Sequence, residues 1–314
     1  MSSALTIPQY FPTEFATNWE SVVQQKGGKV AQFATPDPSF KGKEKSYNQI
    51  DPIDNFQEIT TRMGSTQLSE ISGDKYWLRT RAYDDAKGFD EWDDDILGDI
   101  VLPTSDTMRE MSNGWARKCD DVLFSELLGT RYIGETGVTT NDLPSGQKIA
   151  VDYTRANPTS GTNSGLTYEK ILGALEIFGE NDVDFDEEGQ PVMFVRMRQI
   201  TDLYASVTEF RSRDYSRDIE PFSKDKLITE GTMNWNGILF VKSQRVPTSG
   251  SDSYQCPMFT KRALKYYLDS PTPMIDVRPD LKHTLQIRMK GRIGAVRTQN
   301  ELVVEVSCDE TPGF

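Results

Sequence analysis

Apolar residues recur at spacings of three and four over one long stretch, Thr104 to Gly129, TSDTMREMSNGWARKCDDVLFSELLG. Met108, Met111, Trp115, Cys119, Val122, Leu123 and Leu127 fall on one helical face, the core side of a spine helix. Arg109, Glu110, Asn113, Arg117, Asp120 and Asp121 fall on the other. Thr104 and Ser105 are placed to accept from orphan amides, Thr107 and Glu110 have capping-box spacing, and Asp106 suits the positive end of the helix dipole. Gly129 is a natural stop. Roughly 24 residues at about 1.5 Å each make a rod about 36 Å long. Gly114, worth about 1 kcal/mol against Ala, is a point of bending.

The flanking patterns are different. Before it, Thr13–Lys26 reads as a short helix with Phe15, Trp19, Val22 and Val23 on one side, ended by Gly27 and Gly28. A lysine-dotted stretch broken by Pro36 and Pro38 follows and is no buried helix. From Ile50 to Asp84 the pattern is strand-like. One run holds Phe56, Ile59 and Thr61, the other spans Lys75–Tyr83, and together they read as a long hairpin polar on both faces. Such a hairpin is marginal in water and needs a neighbour. After the long helix comes a loop, 132–164, with a short strand at Lys148–Tyr153. Leu166–Gly179 is a second amphipathic helix, Pro191–Arg196 a buried strand, Met197–Ser206 a helix and Ile238–Val246 a strand. Phe259–Leu268 has helical spacing and is stopped near Pro271 and Pro273. The end reads as a strand pair, Leu281–Arg297 and Leu302–Cys308, turning at Thr298–Glu301.

Composition sharpens this. With 314 residues there is room for two compact domains or one elaborate one, and 36% hydrophobic residues is low for a single dense globule. Both fit a chain with long surface-lying arms. A net charge of −13 argues against direct phosphate binding as its main business. No apolar run is long enough to span a membrane, and MSSALTIPQYFPTEF lacks the basic and apolar regions of a signal peptide. Cys119, Cys256 and Cys308, three and widely spaced, suit a reducing compartment.

Catalytic chemistry finds little footing. His283 is the only histidine, which excludes an HExxH zinc site and most histidine-bearing triads. Asp182–Met193 superficially resembles a calcium loop, but Glu187 stands where glycine is needed and Met193 where glutamate is needed, so a solvated turn is expected. Asp93, Asp94 and Asp95, in the acidic stretch Gly88–Asp99 around Trp92, are consecutive and point in different directions. They fit a solvated face, or a contact with a basic patch on another subunit, better than paired catalytic carboxylates.

The order of these elements resembles the major capsid proteins of tailed bacteriophages with the Hong Kong 97-like fold. The residues that carry the likeness are the arm ending QQKGGK, the two-stranded loop, the acidic lead-in, the helix running into LLGTRYIGETG, and TLQIRMKGRIGAVRTQNELVVEVSCDE. Its most telling phrase is Gly291-Arg-Ile-Gly294-Ala-Val-Arg297. The resemblance implies an α+β fold with an N-terminal arm (1–45), an extended β-hairpin loop (46–88), a peripheral domain (89–165 and 275–314) and an axial domain (166–274). It implies a shell of hexamers and pentamers around double-stranded DNA, not an enzyme, with no cofactor or metal. Its partners would be further copies of itself with portal, scaffold and decoration proteins, and DNA held without sequence-specific binding. Assembly would occur in the host cytoplasm, and no membrane is involved. Tyr76, Trp77, Asp93, Asp94 and Asp95 are the expected intersubunit residues; Met111, Trp115, Cys119 and Leu123 form the spine-helix core. The lysine and asparagine that cross-link some members find no match here. Two other readings stay open: a bacterial nanocompartment shell of the same fold, and an acidic glycan-active or glycan-binding protein.

Overall fold

The computed structural model describes residues 25, 27–53, 56, 58, 70–89, 104–158, 161–206, 231–250, 253–281 and 284–311. The expected helix over Thr13–Lys26 (apart from Gln25), the Asp90–Asp95 segment and His283 lie outside them.

In chain order the strands are β1 (Thr35–Pro36), β2 (Glu44–Ile50), β3 (Gly73–Phe89), β4 (Arg131–Ile133), β5 (Thr139–Asn141), β6 (Lys148–Ile149) and β7 (Val192–Val195). They continue with β8 (Thr232–Trp235), β9 (Ile238–Lys242), β10 (Ser253–Phe259), β11 (Leu264–Leu268), β12 (Thr272–Arg278), β13 (Thr284–Arg297) and β14 (Val303–Asp309). The α-helices are α1 (Thr104–Leu128), α2 (Tyr168–Glu180), the one-turn α3 (Phe185–Glu188) and α4 (Met197–Ser206).

Two sheets result. The larger runs β1-β11-β13-β3-β4-β5, with β2 also paired to β3 and β12 to β13; the smaller runs β6-β14-β10-β7-β9-β8. In the larger sheet β13 is the seam. β3 lies antiparallel along one edge from Phe89 opposite Leu285 to Arg79 opposite Ala295, while β12 and β11 share the other edge. In the smaller sheet all four residues of β7 are buried, as a run of Val, Met, Phe and Val requires.

The spine helix α1 joins the two. Its first half lays Met111 on Ile287 and Met289, and further along Cys119 and Val122 meet Ile293. Its last turns carry Leu123, Phe124 and Leu127, fully buried, into the main core, where the Phe124 and Phe194 rings meet edge to face at 5.1 Å. Each such side chain contributes roughly 1.5–3 kcal/mol. Trp115 is half-buried and lies flat on Gly291: a Cβ there would come within 2.6 Å of the indole. Gly294 is needed for the same reason, since its Cβ would meet the Arg79 carbonyl at 2.6 Å. The two glycines of the GRIG phrase are thus close-approach positions, one for the helix and one for β3.

Several expectations are corrected. Thr107 and Glu110 lie inside α1, which starts at Thr104, so they are not its cap. Among the described residues the antiparallel hairpin partner of β3 is β2, Glu44–Ile50; of the expected run, Phe56 is exposed and outside any strand, while Ile59 and Thr61 lie outside the described residues. β2 reads EKSYNQI and alternates exposed with half-buried positions without an apolar run. Phe259–Leu268 is not helical: β10 ends there, a 3-10 turn at Lys261–Ala263 follows, and β11 pairs with Ile293–Arg297. The last two strands are not a hairpin, because β13 lies in the larger sheet while β14 pairs with β10 and β6 in the smaller one.

Arg297 explains that last departure. Fully buried, it donates from Nη1 to the carbonyls of Leu127 and Gly129, each at 2.7 Å. Nη2 donates to Asn141 O at 3.2 Å and Nε to Asn300 Oδ1 at 2.9 Å. It therefore caps the negative end of α1 with a cation. Burial, then Arg131 nearby, lower its pKa to about 10, so it remains charged at neutral pH. Thr298 Oγ1 donates to Arg262 O at 2.7 Å. With the turn's polar groups bound to other elements, the chain leaves one sheet and enters the other.

Candidate assembly interface

The hairpin of β2 and β3 is fixed at its root, and apolar residues among those described toward its far end are exposed. At the root, Tyr76 is buried and stacks on Tyr47 with ring centroids 5.2 Å apart. Lys265 Nζ donates to Tyr76 Oη at 3.0 Å and sits 4.5 Å above the Tyr47 ring. Asp37 accepts from Lys45 at 2.5 Å, from Ser39 Oγ at 2.7 Å and from the Tyr47 hydroxyl. Burial pushes the Asp37 carboxyl upward, but these donors outweigh it and hold the pKa well below the usual carboxylate range. Burial and the Asp37 charge in turn raise the Tyr47 phenol. Trp77 donates Nε1–H to Gly134 O at 2.8 Å, and Arg79 lies 3.9 Å over the Tyr132 ring. Tyr76 and Trp77, the residues expected to meet a neighbouring subunit, have their rings engaged within their own chain.

At the far end Ile50, Ile53 and Ile71 are exposed, and Phe56 is 93% exposed. A second exposed apolar group, Met274, Ile275 and Val277, lies on β12, which pairs only with β13 among the described residues. Exposed apolar residues gathered in this way fit a surface suited to cover by another protein.

The spine helix meets the arm through a residue assigned above to its polar face. Asp120 is fully buried and accepts from the backbone amides of Lys29 at 2.9 Å and Val30 at 3.1 Å, and from Gln25 Nε2 at 2.8 Å. Burial raises its pKa, against the pull of those amides. Arg117 Nη1 adds a bond to Gln25 O at 3.2 Å, and Lys29 Nζ donates to Lys242 O at 2.6 Å. The arm is thereby tied to both the helix and the smaller sheet. Of the four spine-core residues, Met111, Cys119 and Leu123 are buried and Trp115 is half-buried. Burial and Asp120 push the Cys119 thiol up to about 12, which keeps it protonated.

Other sequence candidates have structural duties. Asp184 caps α3, its Oδ1 accepting from the Asp186 amide at 2.9 Å, and Glu188 pairs with Arg262. Lys170, buried in α2, donates to the carbonyls of Val151 and Ser164 at 2.8 Å and of Gly165 and Ser307 at 3.0 Å. No sequence signal marked it, since its partners lie on separate segments. Asp93, Asp94 and Asp95 fall outside the described residues.

A spine helix across a long-stranded sheet, a protruding hairpin and a second sheet define the Hong Kong 97-like capsid fold. The capsid of cyanophage Pam1 has this architecture, with a TM-score of 0.71 at 10% identity over 99% of this chain and 100% of that one. A chain of Mycobacterium phage Che8 gives 0.66 at 17% identity over 95% and 97% of the two chains, and the capsid of a native GTA particle 0.65 at 9% over 98% and 99%. No curated protein matches the sequence. The chain belongs to the phage capsid protein family, whose model matches residues 7–310. Its place is therefore the shell of a virion, built by association of many copies. Neither the nanocompartment nor the glycan reading gains support from these matches.

Proposed function

We propose that this chain is the major capsid protein of a tailed phage, assembling into the hexamers and pentamers of an icosahedral head around double-stranded DNA. The observation that carries the reading is the family match over nearly the whole chain, joined to a hairpin whose apolar end has no cover among the described residues. Its role is structural and not catalytic. Residues 1–45 act as the arm and 46–88 as the extended loop laid on a neighbour. Segments 89–165 and 275–314 act as the peripheral domain and 166–274 as the axial domain, with β14 woven into the axial sheet. Portal, scaffold and decoration proteins are its other partners, and assembly takes place in the host cytoplasm. The acidic chain limits sticking to DNA during filling.

Negative-stain microscopy with gel filtration of the expressed chain tests this. Closed megadalton shells are expected. A monomer or dimer that binds sugar overturns the reading, and shells filled with a cargo enzyme in place of DNA favour a nanocompartment.

A further inference from the structure

β13 presents a row of cations on the face turned away from the spine helix. Ile287 and Met289 pack toward α1, so the alternate residues Arg288, Lys290 and Arg292 face the other way. Their partners across the ladder, Ala82 and Asp84 of β3 and Thr272 of β12, share that face. Between them opens a cleft of about 530 Å³, closed on one side by Asp269 and Ser270 where the chain passes from β11 to β12. Arg288 pairs with Asp84 at 2.7 Å and Arg292 with Asp269 at 3.4 Å. Lys290 stands between these pairs, exposed, with no carboxylate within ion-pair distance among the described residues. The cleft thus keeps one uncompensated positive charge in a chain whose net charge is −13.

We infer that this cleft receives the acidic segment Asp90-Glu-Trp-Asp-Asp-Asp95 of a second copy of the chain. The inference rests on the shell-forming reading above. The segment offers five carboxylates around one indole, the complement of a central lysine flanked by arginines. β3 ends at Phe89, five residues and about 17 Å beyond Asp84, and α1 packs on the opposite face of β13. Self-association brings the segment of a neighbouring copy to this surface. Exposed pairs of this kind are weak singly and salt-sensitive, which suits a contact repeated over a shell.

The test uses full-length wild-type chains. Equal amounts of unlabelled and 15N-labelled subunits are mixed before assembly, and the particles are treated with a water-soluble carbodiimide. This reagent joins a lysine amine to a carboxylate with loss of water. Lys290 coupled to the 90–95 peptide, with mixed isotopes in about half of the pairs, is the expected result, as random mixing requires. Same-isotope pairs alone, or no coupling of Lys290 to that peptide, overturn the inference. Charge reversal gives a second reading. Lys290→Glu should raise the concentration needed for assembly about fivefold. Asp93→Lys with Asp94→Lys should do the same, and the combination should restore assembly. Unchanged single variants, or a combination worse than either, also overturn it. Failure of the wild type to form any particle overturns the shell-forming reading itself, whereas shells without the mixed-isotope link overturn only this contact.

Discussion

Replacing Arg297 with methionine isolates what one buried cation does for this fold. Methionine keeps most of the stem's packing and removes all four donated bonds, to Leu127 O, Gly129 O, Asn141 O and Asn300 Oδ1. Bonds from a charged donor contribute about 1.5–3 kcal/mol each, so four at the low end amount to about 6 kcal/mol. Against this stand burial of the cation and the nearby Arg131 charge. The pKa, lowered from 12.5 to about 10, puts their net cost at about 3 kcal/mol. The net expected loss is about 3 kcal/mol, the greater part from carbonyls at the end of α1 left without donors. Arg297→Lys should fall between, because one ammonium cannot reach all four acceptors. Urea unfolding of unassembled subunits measures the loss, and a drop in Tm of roughly 5–10 °C should accompany it. Hydrogen exchange should quicken first at the last turn of α1 and in β5. A methionine variant within about 1 kcal/mol of wild type, with that turn still protected, would show that the carbonyls are satisfied by other means.

Gly291→Ala should destabilise the subunit by about 1–3 kcal/mol through its clash with Trp115, and Trp115→Leu in the same chain should recover part of it; additive losses in urea would refute the contact. Asp120→Asn should loosen residues 25–33 by about 1–3 kcal/mol, since an amide nitrogen in place of Oδ2 faces the donors Gln25 Nε2 and Lys29 N; unchanged protease cleavage there would contradict this. The depressed Asp37 pKa stabilises the fold above the unfolded value near 4, and that stability is lost as pH falls toward the folded value. Asp37→Asn should therefore shrink the stability lost between pH 5 and pH 2.5 by up to about 2 kcal/mol, and identical acid limbs would rule it out. Amides toward the far end of the β2–β3 hairpin should exchange fast in free subunits and slowly in shells, and equal protection in both states would place no neighbour on it.

The spine helix was legible because its signal is local: an apolar stripe and a terminal glycine lie within one stretch. The buried strand at Val192–Val195 was legible for the same reason. What escaped depends on distant partners. Asp120 looks like a solvent-facing carboxylate until the amides of Lys29 and Val30, some 90 residues upstream, come to rest on it. Leu264–Leu268 carries spacing that suits a helix in isolation, and pairing with β13 and β1 makes it a strand. The closing hairpin was misread because turn residues between two strands look alike whether or not the strands pair. Here Arg297 and Thr298 commit the turn elsewhere. Tyr76 and Trp77 lie in the strand run Lys75–Tyr83, and the sequence holds no sign that Tyr47 and Gly134 rest beside them.

The pairing of β3 with β13 also sets a timetable for synthesis. Phe89 lies opposite Leu285, so the two strands are separated by roughly 200 residues of chain. At about 5–20 residues per second, a ribosome takes on the order of 10–40 s to deliver the second after the first. Throughout that interval a 17-residue strand has its longest ladder unmade. Arg79, Arg81, Asp84, Asp85 and Lys87 stud its length, and charge on a waiting edge discourages other nascent chains from zipping onto it. The polarity that made this strand look ill-suited to a folded domain thus protects it before the domain exists.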